Sequence, residues 1–321
     1  MDGKADGARA ARRWTPIALA AIMLTGSITA EIAAAAEGTA APAAAGTEDA
    51  VTSASAGGGT GGGSGSSAGS GSKSLKLKSE DTSPSKSFFF GKRKATYRYS
   101  IAGTKSRNLK IQAVDKSTWK VAHTWKRSKV TPGKVHTISW AGTGRHRRSA
   151  PAGTYVFRVR TRHGANANRR HVKGGDRSFA MYPYKFPVRS RHAYGDGYGA
   201  PRAGHVHQGQ DVLAPCGKRL VAARGGRVQY SGYQASGAGY YLVIDGKATG
   251  HDYVYMHLRR GGRVKQGQRV RTGERIGTVG ETGDASGCHL HFEMWTKPGW
   301  YEGGKAMPSV TRHLKFWDRW S

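Results

Sequence analysis

The stretch that decides the fold is Cys-His-Leu-His-Phe-Glu-Met-Trp, residues 288–295. Side chains of a β-strand alternate between two faces, so His289 and His291 would share one face with Glu293. The Leu, Phe and Met between them would form the opposite, apolar face. The pattern predicts a strand whose back lies in a core and whose front presents two imidazoles.

Two polar clusters lie upstream of this strand. His207 and Asp211 stand four apart in His-Gln-Gly-Gln-Asp, on one side of an extended segment, and the glycine at 209 lets the backbone bend or approach closely. His257 ends the run Tyr-Val-Tyr-Met-His, and alternation along this predicted strand puts it on one face with Tyr253 and Tyr255. Catalytic zinc takes three ligands from His, Asp, Glu or Cys and keeps one position for water. His207, Asp211 and His291 are therefore the candidate ligands, and the missing H-E-x-x-H excludes a helical zinc peptidase.

Other residues compete for these assignments. His205 is the rival of His207 as a ligand, although the glycine between the paired ligands favours His207. His251 lies in a predicted loop and is expected on the surface. Glu293 either orients a ligand or has a structural role at the strand end. Tyr194 either lines a substrate groove or belongs to a glycine-rich loop.

From about residue 186 to 317 the sequence resembles the lysostaphin-type (LytM-like) zinc metallopeptidases, which cut peptidoglycan cross-bridges. Their pattern is H-x-x-x-D, a strand histidine and H-x-H, and it matches His207 to Asp211, His257, and His289 to His291. The stretches G-Q-R-V-R-T-G-E-R-I-G-T-V-G and G-D-A-S-G-C-H-L-H-F-E match as well. The resemblance implies one zinc per chain on His207, Asp211 and His291. It also implies that His257 and His289 act on the substrate, with His289 as general base and His257 as donor to the oxyanion.

The whole chain is predicted to be all-β, in four segments. Residues 1–36 resemble a signal peptide, with a basic start and an apolar run too short to span a bilayer; an uncleaved anchor is the alternative. Residues 37–86 are a Gly/Ser/Ala-rich disordered linker. Residues 87–183 form a small β-sandwich, and residues 184–321 form an antiparallel β-sheet peptidase domain of the lysostaphin/LytM (duplicated hybrid motif) type.

The predicted sandwich carries a second resemblance. His-Thr-Ile-Ser-Trp-Ala-Gly, residues 136–142, is followed by Ala-Pro-Ala-Gly-Thr-Tyr-Val-Phe-Arg-Val at 150–159. These stretches are similar to the immunoglobulin-like domain of the flagellar hook-capping protein. The resemblance implies a positioning or binding module and names no ligand.

The charge balance favours a polyanionic partner. The chain carries 52 Lys and Arg against 20 Asp and Glu, a net charge of +32. Such a field attracts nucleic acid, anionic membranes or anionic cell-wall polymers without choosing among them. The basic cluster at 145–148 has no interleaved aromatic side chains, so specific nucleic-acid recognition is not expected. Export would also let Cys216 and Cys288 form a disulfide that braces the histidine strand; two unpaired thiols are the alternative.

The sequence therefore predicts a zinc metalloendopeptidase, secreted or held in the cell envelope, that hydrolyses peptide cross-links of peptidoglycan. Its partners would be peptidoglycan cross-bridge peptides and, through charge, anionic wall polymers. One alternative is a non-enzymatic wall-binding or amidase-activating protein on the same fold. A secreted nucleic-acid binder is a third reading that rests on charge alone. The bond that is cut and the oligomeric state stay open.

Overall fold

Strands dominate the chain in the computed structural model, which describes residues 75–161, 164, 166, 167 and 177–321. The predicted signal peptide and the predicted linker up to residue 74 lie outside the described residues. All described residues belong to one compact unit. The all-β fold class is confirmed, and none of the helices in the described part has the length and apolar character needed to cross a membrane.

The first eight strands form two sheets. They are β1 (Leu77–Ser83), β2 (Lys86–Phe88), β3 (Ala95–Ile101), β4 (Arg107–Asp115), β5 (Val121–Val130), β6 (His136–Trp140), β7 (Gly153–Thr161) and β8 (Ser178–Tyr182). One sheet has the order β1-β3-β6, and the other has the order β2-β8-β7-β4-β5. All their pairings are antiparallel except that of β2 with β8.

Aromatic side chains from both sheets form one core between them. The ring of Tyr97 on β3 stacks on Phe157 of β7 with centroids 4.9 Å apart. Trp140 on β6 meets Tyr155 of β7 edge-on at 5.0 Å. Alternate residues of β7 point into this core, as the sequence of the strand predicts. The two sheets therefore pack face to face as a sandwich.

Strand β1 corrects the predicted linker, which was expected to run to residue 86. Residues 77–83 pair along β3, and Leu75 and Leu77 are buried in the sandwich core. The stretch is short and mostly polar because β1 is an edge strand, and so its composition resembles the linker before it.

The second part of the chain has eleven strands and a helix. They are β9 (Ala193–Tyr194), β10 (Pro201–Arg202), β11 (His205–Val206), β12 (Gln210–Leu213), β13 (Arg219–Val221), β14 (Gly226–Gln234), β15 (Gly239–Gly246), β16 (His251–Leu258), β17 (Arg269–Val270), β18 (Arg275–Thr278), β19 (His289–Thr296) and α1 (Val310–Asp318). Seven of the strands make an antiparallel sheet of order β17-β14-β15-β16-β19-β12-β9. The pairs β10-β11 and β13-β18 are separate two-stranded sheets.

The two faces of the seven-stranded sheet have different roles. Leu290, Phe292 and Met294 of β19 lie in the main core, as the alternation predicts. Helix α1 covers this face with Leu314 and Trp317, and Trp317 stacks on Tyr184 at 4.6 Å. The opposite face carries the polar residues of β19 and β12. The sheet therefore separates the main core from a face that carries these polar side chains and a smaller apolar cluster around Val254 and Trp295.

A buried arginine joins the sandwich to the second part. Arg224 is fully buried, and its guanidinium donates to the backbone oxygens of Lys247 (2.9 and 2.8 Å) and Pro183 (2.8 Å). It also lies over the ring of Phe89, 4.1 Å from the centroid. Because Phe89 follows β2 directly, this contact holds the edge of the sandwich against the second sheet.

Candidate metal centre and active site

Strand pairing brings the first two site residues together. Asp211 of β12 lies directly opposite His291 of β19 in the antiparallel ladder. Paired residues point to the same face, so the Asp211 Oδ1 atom lies 2.9 Å from Nδ1 of His291. The local sequence encodes this placement through the alternation of β19, whose apolar residues turn the histidine away from the core.

His207 completes the group from the loop before β12. Its Nε2 lies 3.1 Å from Oδ1 of Asp211 and 2.8 Å from Nδ1 of His291. Gly209 makes this approach possible, since a Cβ at that position would stand 2.7 Å from Nε2 of His291. The three side chains are buried, and one ligand atom from each lies within 4.8 Å of the others. Two imidazoles and a carboxylate converging on one point have the donor chemistry of a transition-metal site.

The outward-facing nitrogens of the two imidazoles have fixed partners. His207 Nδ1 donates to the backbone oxygen of Gly197 at 2.8 Å. His291 Nε2 donates to Oε1 of Glu293 at 2.9 Å, and the other oxygen of Glu293 accepts from Nε1 of Trp295 at 2.7 Å. With a metal ion bound, these bonds would leave each ring as the tautomer whose lone pair faces the centre, as is common around metal-binding histidines. Of the two roles considered for Glu293, the orienting one has contacts to support it.

The hydrogen bonds between His291 and Asp211 shift the pKa values of both residues. Burial alone would lower the pKa of His291, but hydrogen bonds to Asp211 and Glu293 outweigh it and raise that pKa to about 9. Burial alone would raise the pKa of Asp211, but the hydrogen bonds from His207 and His291 hold it well below its usual range. The carboxylate is therefore ionised throughout the neutral range, and the centre attracts a positive charge.

His257 reaches the same face through a β-bulge. The register shifts between the β15–β16 pairs Tyr240–Leu258 and Leu242–Tyr255, so Met256 and His257 both oppose one residue of β15. His257 has a φ of 58°, in the left-handed region. Its ring consequently lies 4.7 Å from that of His289 and 5.9 Å from that of His291. Bulges of this kind redirect one side chain without ending the strand.

This bulge corrects the predicted faces of β16. The sequence suggested that Tyr253, Tyr255 and His257 share one face. Both tyrosines are fully buried in the main core on the other side of the sheet. Regular alternation would have placed His257 there too, and only the extra residue turns it toward the metal centre.

The protonation of the two further histidines follows from their partners. His289 Nδ1 donates to Gly287 O at 2.8 Å, and its Nε2 stands 3.7 Å from Oδ1 of Asp211. His257 Nδ1 donates to Thr282 O at 2.8 Å. Burial lowers the pKa of His257 to about 4, so the ring is neutral near pH 7. Nε2 of neutral His257 then carries the lone pair, so this ring has no proton to donate from that atom. In His289 the tautomer with its proton on Nδ1 presents a lone pair on Nε2, which suits a general base.

The remaining candidates lie outside the centre. His205 is exposed on β11 and its Nδ1 bonds the backbone oxygen of Ala203, so it does not join the ligand group. His251 is half-buried at the start of β16 rather than exposed. Tyr194 pairs with Val212 of β12 and is also half-buried.

Sequence reasoning missed Arg202. Its guanidinium donates to Oδ2 of Asp211 at 3.4 Å and to Oδ2 of Asp196 at 2.8 Å. The β10–β11 hairpin brings it there. An arginine in a two-residue strand has no local signal of such a contact, because the contact depends on how the hairpin folds over the sheet.

A disulfide joins the segments next to the two strands that carry site residues. Cys216 and Cys288 are joined, with their Sγ atoms 2.11 Å apart. Cys288 directly precedes β19, and Cys216 follows β12 by three residues. The bond therefore ties together the two strands that carry Asp211 and His291.

Comparisons with known proteins match this part of the chain to a family of peptidases. Residues 205–306 match the family model of peptidase family M23, and they include the four histidines and the aspartate of the site. The region that carries the site is therefore similar to peptidase family M23. An uncharacterized metalloprotease of Haemophilus influenzae is 34% identical over 171 residues, which cover 52% of this chain and 34% of that protein.

A second relative is the peptidoglycan DD-endopeptidase ShyC of Vibrio cholerae, 39% identical over 96 residues, which cover 28% of this chain and 20% of that protein. Among solved structures, the catalytic domain of the antimicrobial peptidase lysostaphin from Staphylococcus simulans is 28% identical. That match covers 39% of this chain and 92% of the other, with a TM-score of 0.35. The chain thus spans about a third or less of the length of these curated relatives.

Proposed function

We propose that this protein is a zinc metalloendopeptidase that hydrolyses peptide cross-links of bacterial peptidoglycan. The convergence of His207, Asp211 and His291 within 4.8 Å carries the proposal. Two imidazoles and a carboxylate are the ligand types of catalytic zinc sites that leave a fourth position open. The match to peptidase family M23 supports peptidase chemistry, and the 39% identity with a peptidoglycan DD-endopeptidase supports the substrate class.

In this proposal one group of residues binds the metal ion and another transfers protons. His207, Asp211 and His291 would bind zinc, which supplies activation of water and polarisation of the scissile carbonyl. His289, on the same strand face as His291, presents a lone pair on Nε2 and accepts the proton of the attacking water. It then returns that proton to the leaving amine.

His257 acts beside His289 in this proposal. The neutral ring carries its proton on Nδ1 and donates it to the backbone oxygen of Thr282. Its Nε2 therefore accepts a hydrogen bond from the attacking water and orients that water. Donation to an oxyanion, the role suggested by the sequence resemblance, would require the ring to take up a second proton. Loss of either histidine should lower the rate by roughly 10²–10⁴-fold and leave zinc bound.

Export remains a part of the proposal that rests on sequence. The basic and apolar pattern of residues 1–36 predicts delivery to the envelope, where peptidoglycan lies. The disulfide between Cys216 and Cys288 is consistent with an oxidising compartment.

The test uses intact sacculi of defined cross-link type. The full chain should release peptide fragments that mass spectrometry identifies, and a chelator should stop the release until zinc is restored. His291→Ala should lose both zinc and activity, whereas His257→Ala should lose activity alone. A zinc-loaded protein that binds sacculi and releases no peptide would replace this proposal with a non-enzymatic wall-binding function.

A further inference from the structure

The positive charge of this protein is concentrated away from the metal centre. Residues 75–183, which include the sandwich, contain 26 Lys and Arg against four Asp and Glu. Residues 184–321, which include the centre, contain 21 against ten. Most of the excess therefore belongs to a module that contributes no residue to the site.

Part of this charge is ordered on the outer face of the five-stranded sheet. Lys110 of β4 lies directly opposite Lys126 of β5 on one side and Arg160 of β7 on the other. Their neighbours Leu109 and Val159 are buried in the core, so these three side chains project outward. Directly opposed residues have Cβ atoms about 5 Å apart, and like charges in such pairs destabilise a sheet.

No acidic side chain offsets this row within the described residues. Arg160 donates to the backbone oxygen of Gly164 at 2.7 Å, a neutral acceptor that leaves its charge in place. None of the three cations forms a salt bridge among the residues that the structure describes. The single acid in the five strands, Asp115, is at the end of β4, where it accepts hydrogen bonds from Ser117 and Thr118.

The row borders a concave surface rather than a flat one. A groove of about 410 Å³ is lined by Asn108, Leu109, Lys110, Lys126, Arg127 and Ser128. Asn108 Oδ1 accepts from the backbone nitrogen of Lys129 at 2.9 Å, so its NH₂ group remains a donor. The groove therefore combines several cations with neutral hydrogen-bonding groups.

We propose that this cationic groove, with Arg160 at its border, binds a flexible phosphodiester polymer of the cell envelope. Lysine supplies point charges and arginine paired donors for phosphate oxygens, while asparagine and serine suit the hydroxyls of a polyol. The groove residues include no aromatic ring, so nucleobases have no stacking platform, and this favours a base-free polymer over single-stranded nucleic acid. The choice of an envelope polymer rests on the function proposed above, whereas the groove itself does not.

The test measures binding of poly(glycerol phosphate) to the full chain at about 50 and about 200 mM salt. In the groove variant Lys110→Gln/Lys126→Gln, two phosphate contacts are lost. At about 0.7 units of salt slope per contact on a flexible strand, the parent should lose affinity roughly sevenfold more than the variant over this range. The control Lys92→Gln/Lys94→Gln removes the same charge from exposed positions of the same module and should keep the parental slope.

Three outcomes would overturn the proposal. One is an equal loss of affinity in both variants, which would make net charge the determinant. Another is an unchanged salt slope in the groove variant. The third is duplex DNA of matched charge that competes more strongly than poly(glycerol phosphate) and depends on the same two lysines. Both variants should hydrolyse a soluble cross-linked peptide at the parental rate, so failure of the groove and failure of the peptidase function give separate results.

Discussion

Replacing Glu293 by Gln tests whether the residue behind His291 tunes the metal centre. Glu293 is 3% exposed, and its carboxylate accepts hydrogen bonds from two N–H donors, His291 Nε2 at 2.9 Å and Trp295 Nε1 at 2.7 Å. A glutamine has one acceptor oxygen, so one of these buried donors must face an NH₂ group. A hydrogen bond to a charged group contributes about 1.5–3 kcal/mol, which corresponds to zinc affinity weakened by roughly 10- to 100-fold.

The assay is a competition titration against a chromophoric zinc chelator near neutral pH, with thermal unfolding to verify the fold. Glu302→Gln is the matched control, because Glu302 is exposed and its carboxylate bonds Tyr230 and Gln229. The control should bind zinc as the parent does. The reasoning would be refuted if a folded Glu293→Gln protein bound zinc within about twofold of the parent.

Three further substitutions test other contacts. Gly209→Ala should weaken zinc binding by about tenfold or more, since its Cβ would stand 2.7 Å from Nε2 of His291 and displace that ring. Gly287→Ala, with nothing within 4 Å of its Cβ, should not weaken zinc binding, and equal affinities of the two variants would contradict this account. Cys216→Ser should lower the free energy of unfolding by about 4 kcal/mol, because the disulfide closes a loop of 72 residues; urea titration should show the difference vanish in reductant. Arg224→Met should lower the free energy of unfolding by about 3 kcal/mol, because its hydrogen bonds to buried carbonyl groups are lost. The exposed Arg227→Met should stay within about 0.5 kcal/mol of the parent in the same titration.

Alternation predicted the strands that lie between a core and a second face. In β19 the apolar residues lie in the core and the histidines lie on the other face, so the alternation of apolar and polar residues is visible in the sequence itself. The same holds for β7, whose Tyr155, Phe157 and Val159 are buried. Where one face is fully enclosed, hydrophobic burial fixes the register, and the ligand pairing of Asp211 with His291 follows from it.

The parts that sequence did not predict have no such periodic signal. Strand β1 is polar and occupies a sheet edge, so it looks like linker. Helix α1 has nine residues, with Val310, Leu314 and Trp317 buried at helical spacing, too short a run to separate from a loop. The bulge at His257 depends on pairing with β15, and a pattern read along one strand cannot show an extra residue against its neighbour.

The position of β12 near the sheet edge makes its stability depend on the metal centre. This four-residue strand has β19 on one side and only the two-residue β9 on the other, next to the sheet edge. Asp211 sits within it, His207 stands just before it, and His291 stands across from it. An ion bound by these three residues would therefore link a strand with few pairing partners to the centre of the sheet and stabilise it. Amide exchange in residues 210–213 would then slow on metal loading, so the stability of one short strand would report whether the metal is bound.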